Sequence, residues 1–89
     1  MIIHKVYLAD IYDPDSPEWG HLTMYVVFGT MAHNEDIPDI NISLKPYNID
    51  DDDVHFYFTK DDLEEIHNNR IVDENNYEIT LIEEVKPYV

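Results

Sequence analysis

His21-Leu22-Thr23-Met24-Tyr25-Val26-Val27-Phe28-Gly29-Thr30 is the stretch on which the fold turns. Side chains alternate along a strand, so Leu22, Met24, Val26 and Phe28 share one face, and Thr23, Tyr25 and Val27 share the other. A strand apolar on both faces has to be covered on both, which predicts a central strand. Outward toward the N-terminus, Ile2–Tyr12 is rich in β-branched and aromatic residues and stops at Asp13-Pro14-Asp15-Ser16-Pro17, a strand followed by a turn. Outward toward the C-terminus, Ile40, Ile42 and Leu44 alternate with Asn41, Ser43 and Lys45 and predict a third, half-exposed strand that Pro46 ends. Beyond the acidic loop from Tyr47 to Asp53, Val54, Phe56 and Phe58 alternate with His55 and Tyr57 as a fourth strand.

Thr59-Lys60-Asp61-Asp62 has the form of a helix N-cap with an acid three residues on. It predicts a helix of about two to three turns. Leu63, Ile66 and the aliphatic stem of Arg70 would share one face, with Asp61, Glu64 and Glu65 on the opposite side. Asn68-Asn69 and the stretch from Asp73 to Asn76 read as a stop and a turn. Tyr77, Ile79 and Leu81 then alternate with Glu78 and Thr80 until the register blurs at Ile82 and Pro87 closes the chain. The order β-β-β-β-α-β defines an α+β class: a curved, mostly antiparallel sheet of about five strands with one short amphipathic helix packed on one face. The last connection is open to a parallel crossover or an antiparallel return.

With 89 residues, the chain has room for a single compact acidic domain spanning 1–89. Hydrophobic residues make up 44% and aromatics 12%, enough for a core and too many for a disordered acidic tail. Cysteine is absent, so packing alone must hold the fold, and self-repulsion should weaken it at low salt. Twenty Asp and Glu face five Lys and Arg, a net charge of −15, which excludes direct nucleic-acid binding through a basic surface. Adaptation to high salt is a competing source of acidity, but eleven isoleucines and seven asparagines with few alanines fit it poorly. Met1-Ile2-Ile3-His4-Lys5 soon reaches Asp10 and Asp13 without an apolar run long enough for a signal peptide or a membrane span, which predicts a soluble cytoplasmic protein with no membrane partner.

The residues that usually carry chemistry lack the spacing for it. His4, His21, His33, His55 and His67 form no His-x-x-x-His or similar ligand pair, so no metal site is expected. In so negative a field some histidine pKa values should rise. The run Asp50-Asp51-Asp52-Asp53 lacks the alternation, the glycine and the closing glutamate of a calcium loop, leaving weak, unspecific divalent binding as its metal chemistry. Gly20 and Gly29 are too few for a phosphate-cradling loop, and neither Ser16 nor Ser43 lies in a nucleophile motif. No enzyme and no cofactor are expected.

The acids themselves are the remaining signal. Between Ile49 and Glu65 there are eight of them and one lysine, a local net charge of −7 around the aromatic Phe56-Tyr57-Phe58. Asp61 and Asp62 are favoured in a first helical turn, and Glu64 and Glu65 suit a solvated face, so these four are explicable without a partner. The aspartate run is not, and the overall excess goes well past the net charge of about 2–8 that keeps a small domain soluble. Asp50, Asp51, Asp52, Asp53, Asp61, Asp62, Glu64, Glu65 and Tyr57 are therefore the candidate partner-binding residues. The expected partner is a basic protein, in the first place a nucleic-acid-binding enzyme whose groove would accept carboxylates where phosphates lie. In size and charge the chain resembles phage-encoded DNA-mimic inhibitors that block restriction, repair or CRISPR nucleases; the resemblance is one of composition and carries no residue across. The alternatives are an immunity protein or antitoxin neutralising a cationic nuclease, with Trp19, Tyr47, Phe56 or Tyr57 as anchors, and a structural or regulatory module whose acidity serves solubility. Monomer and dimer are both open.

Overall fold

The computed structural model describes residues 2–30 and 44–88. Five strands, β1 (Ile2–Tyr12), β2 (His21–Thr30), β3 (Val54–Phe58), β4 (Arg70–Val72) and β5 (Glu78–Val85), form one sheet in the order β3-β2-β1-β5-β4. The β1–β2, β1–β5 and β4–β5 pairs are antiparallel, and β2–β3 is parallel. A single helical turn, α1 (Lys60–Glu64), and three 3-10 turns complete the mixed α+β fold among the described residues.

β2 runs between β1 and β3, and Val26, Val27 and Phe28 are all fully buried, so both its faces are covered as the sequence predicts. On one face Ala9, Ile11, Val26, Phe28, Ile79 and Leu81 form a core, with Leu63 and Ile66 packed against it. The Phe28 ring meets Tyr7 edge-on at 5.7 Å and stacks on Phe58 at 5.5 Å. On the other face Val6, Val27 and Val54 close around Leu44, with Tyr47 and Ile49 beside them. The segment read as a polar acidic loop thus adds Tyr47 and Ile49 to the apolar cover that Leu44 gives the second face.

Three expectations change. The predicted third strand falls outside the described residues except for Leu44, whose backbone is helical (φ −85°, ψ −13°), and Lys45, which begins the 3-10 turn Lys45–Tyr47. The helix is one turn instead of two to three. Asn68 and Asn69 both take left-handed backbone angles (φ 53° and 62°), which reverses the chain in a tight two-residue turn between His67 and Arg70. Arg70 consequently belongs to β4, which the sequence reading missed, instead of sharing a helix face with Leu63 and Ile66. The last strand is antiparallel to β1, settling its direction. The blur at Ile82 is a β-bulge: Ala9 faces Leu81 and Leu8 faces Glu83, so Ile82 is the extra residue and is left 55% exposed.

The sheet is strongly curled. In a flat sheet β3 and β4 would lie about 19 Å apart across four strand spacings. Here Tyr57 and Phe58 of β3 line the same cleft as Ile71 and Val72 of β4. The His55 ring likewise stacks on Tyr77, just ahead of β5, at 6.0 Å. The two edges bend toward each other over α1.

Candidate functional site

The aspartate run adopts two conformations. Asp50 is extended (φ −81°, ψ 142°) and Asp51–Asp53 form one 3-10 turn, closed by the Asp53 amide donating to the Asp50 carbonyl at 3.0 Å. Three residues per turn aim consecutive side chains in three directions, so the run does not make a one-sided carboxylate row. Asp50, Asp52 and Asp53 are exposed while Asp51 is half-buried. Burial pushes the Tyr57 phenol above its ordinary pKa, and the Asp51 carboxylate adds to the rise, which places negative charge beside that ring.

Asp62 has structural work. Its Oδ2 accepts from the Thr59 amide and the Thr59 hydroxyl, both at 2.9 Å, while its own amide donates to Thr59 Oγ1 at 3.3 Å. This is the reciprocal capping box expected from Thr59-Lys60-Asp61-Asp62. Asp61, Glu64 and Glu65 are exposed around the same turn.

Between the two sheet edges and α1 lies a cleft of about 480 Å³. Of the sequence-predicted residues it gathers Tyr57, Asp62 and Glu65; the aspartate run, Asp61 and Glu64 do not line it. The opposite lip, from Arg70 through Asn75, is new. Arg70 donates to Glu78 at 3.0 Å, leaving Asp62, Glu65, Asp73 and Glu74 as the acids around the opening. Asp73 shapes the β4–β5 turn: its Oδ1 accepts from the Asn75 and Tyr77 amides, both at 2.9 Å, and Asn76 is left-handed (φ 67°). Its Oδ2 is buried and has no hydrogen-bond partner. Burial lowers the pKa of nearby His55 while the Asp73 charge opposes that shift, the reverse of the rise expected for histidines in a negative field. The β-branched pair Ile71-Val72, framed by Asn68-Asn69 and Asp73, is the signal that would have revealed this lip.

Elsewhere the charges are arranged more locally. Lys5 and Lys86 both reach Glu84, at 3.7 and 2.9 Å, and the Lys86 hydrogen bond holds the Glu84 carboxyl below the usual carboxylate range. His21 Nδ1 meets Asp10 at 2.6 Å while its ring stacks on Tyr12. Of the candidate anchors, Trp19 is 65% and Tyr57 39% exposed, and Tyr47 is spent against the second-face core. Among the described residues no three His, Asp or Glu side chains come together as a metal site, and no helix is long and apolar enough to cross a membrane. Compared with protein-family models, with curated proteins and with solved structures, the chain matches none.

Proposed function

We propose that the protein is a non-catalytic, cytoplasmic acidic inhibitor that binds the basic nucleic-acid-binding surface of another protein, in the manner of a DNA mimic. The observation that carries this is the carboxylate excess, twenty against five cations. The ion pairs between described residues deepen it, because Lys5 and Lys86 both sit on Glu84 and so spend two cations on one acid. Duplex DNA presents one charge per about 1.7 Å of axis, and its protein partners answer with Lys and Arg clusters that a folded array of carboxylates can occupy without offering a scissile bond. The exposed acids Asp50, Asp52, Asp53, Asp61, Glu64 and Glu65 supply such charge within sixteen consecutive residues, on short turns that hold them to the sheet. Repulsion among them weakens the isolated fold, and a cationic partner relieves it.

The test is a low-salt capture from host lysate on the immobilised protein, eluted in salt steps and then challenged with duplex DNA. Retention of a nucleic-acid-binding protein that both salt and duplex DNA release supports the proposal. Retention of nothing, or of partners indifferent to DNA, overturns it.

A further inference from the structure

We infer that the cleft between β3, α1 and β4 is a socket for one arginine side chain of the basic partner. The inference rests on the reading of the protein as a ligand for basic surfaces and goes further, because it assigns a concave recognition point to a surface otherwise read as diffuse charge. The cleft joins three features. Its volume of about 480 Å³ admits a side chain and not a folded element. Its walls are in part flat and apolar, with Tyr57 and Phe58 on one lip and Ile71 and Val72 on the other. Its rim carries Glu65 and Glu74, both exposed, and its lining includes Asp73, whose Oδ2 is buried without a hydrogen-bond partner.

Each feature selects for guanidinium. An aromatic face attracts a cation, and the planar, weakly hydrated guanidinium leaves water for such a face more readily than an ammonium does. The carboxylates accept its forked N–H donors, whereas they would repel an acid and desolvate with no return against an apolar residue. The cation already on this lip, Arg70, is turned to Glu78 at 3.0 Å. Asp73, in the lining, has one carboxylate oxygen without a hydrogen-bond partner, which favours a ligand that brings donors over one that brings none.

The experiment titrates the full 89-residue protein with acetyl-Gly-Arg-Gly-amide and follows backbone amide shifts by NMR, with the Lys and citrulline analogues as comparisons. Saturable shifts centred on Tyr57, Glu65, Ile71, Val72 and Asp73, strongest for Arg, are expected. Tyr57→Leu and the pair Glu65→Gln/Glu74→Gln should each weaken the Arg peptide by about threefold or more, while Asp15→Asn in the distant β1–β2 turn removes one charge and leaves it unchanged. Tyr57→Leu is read only if its spectrum stays folded; the exposed Glu65 and Glu74 changes give the answer otherwise. Equal response to Arg and Lys, or shifts spread over Asp50–Asp53 without saturation at the cleft, overturns the inference. If the lysate capture succeeds while the peptide leaves the cleft untouched, the socket falls and the mimic reading stands; if the peptide seats and no basic protein is captured, the mimic reading falls and the socket stands.

Discussion

Asp62 and Asp61 are adjacent acids on the same short turn, and replacing each by asparagine separates local structure from overall charge. Both substitutions take the net charge from −15 to −14, so a repulsion-dominated protein should respond to them alike, with a slight gain in stability. The hydrogen bonds differ. Asp62 Oδ2 accepts two bonds at 2.9 Å from Thr59 and fixes the start of α1, from which Leu63 packs against the core cluster that contains Phe28. An amide in its place keeps one neutral acceptor and loses the charge that strengthens both bonds. Loss of a cap costs about 0.5–2 kcal/mol, and because Thr59 is exposed the lower half applies, about 1 kcal/mol for Asp62→Asn. For a domain of this size that lowers Tm by about 4–8 °C. Asp61→Asn, exposed and outside the capping box, should stay within about 0.5 kcal/mol of wild type. Thermal and urea unfolding of both variants, at low and at moderate salt, gives the answer. Equal effects of the two substitutions, or a stabilised Asp62→Asn, would refute the structural role given to Asp62 and return it to the pool of purely electrostatic acids.

Three further outcomes are expected. Because burial lowers the His55 pKa, the unfolded chain binds the extra proton first; stability supplied by neutral His55 is complete above about pH 6.5 and falls as pH drops through the depressed folded value. The wild-type-minus-His55→Gln difference in urea stability should therefore shrink as pH falls from about 7 to about 5, and a difference that does not change with pH would contradict it. Asp51→Asn should bring the Tyr57 phenol back toward its ordinary pKa in an NMR titration, with burial keeping part of the shift. Phe28→Ala, which empties a fully buried site between Tyr7 and Phe58, should cost about 3–5 kcal/mol, most of the stability of a domain this small, and show as a large fall in the urea midpoint.

How much of this was legible in the sequence depended on how long each pattern ran. β1 and β2 match the reading residue for residue, because ten or eleven residues of β-branched and aromatic character leave no competing period. The capping box was legible too, since it needs only Thr59 and Asp62 three residues apart. The helix was over-read because Leu63, Ile66 and Arg70 satisfy a helical spacing by coincidence. Two consecutive asparagines, which tolerate left-handed angles, outweigh that spacing and reverse the chain before a second turn forms. β4 was missed because three residues are too few to show alternation, which leaves the β-branched Ile71-Val72 between two turn signals as its one mark. The cleft was half legible: Tyr57, Asp62 and Glu65 were chosen for charge and aromaticity, but their meeting with Ile71, Val72 and Asp73 depends on the curl of the sheet, which no local pattern encodes.

Sorting the acids by the work they do sharpens where a partner would bind. Asp13 and Asp73 accept backbone amides in the β1–β2 and β4–β5 turns, Asp62 caps α1, Glu78 and Glu84 hold Arg70 and two lysines, and Asp10 holds His21. These six account for their own presence. Asp50, Asp52, Asp53, Asp61, Glu64 and Glu65 are exposed and make no side-chain hydrogen bond or ion pair among the described residues. Asp15, Glu18, Glu74 and Glu83 are exposed as well but are scattered over separate turns and β5. At a Debye length of about 8 Å in physiological salt, scattered charges act singly, whereas neighbours on consecutive turns add. The 50–65 segment is then the part of the surface where a cationic partner gains most per contact, and the cleft borders it through Tyr57 and Glu65. A partner's basic side chains approaching that segment would meet a cluster of exposed carboxylates bordering one shaped recess, which would supply attraction at long range and selection at contact.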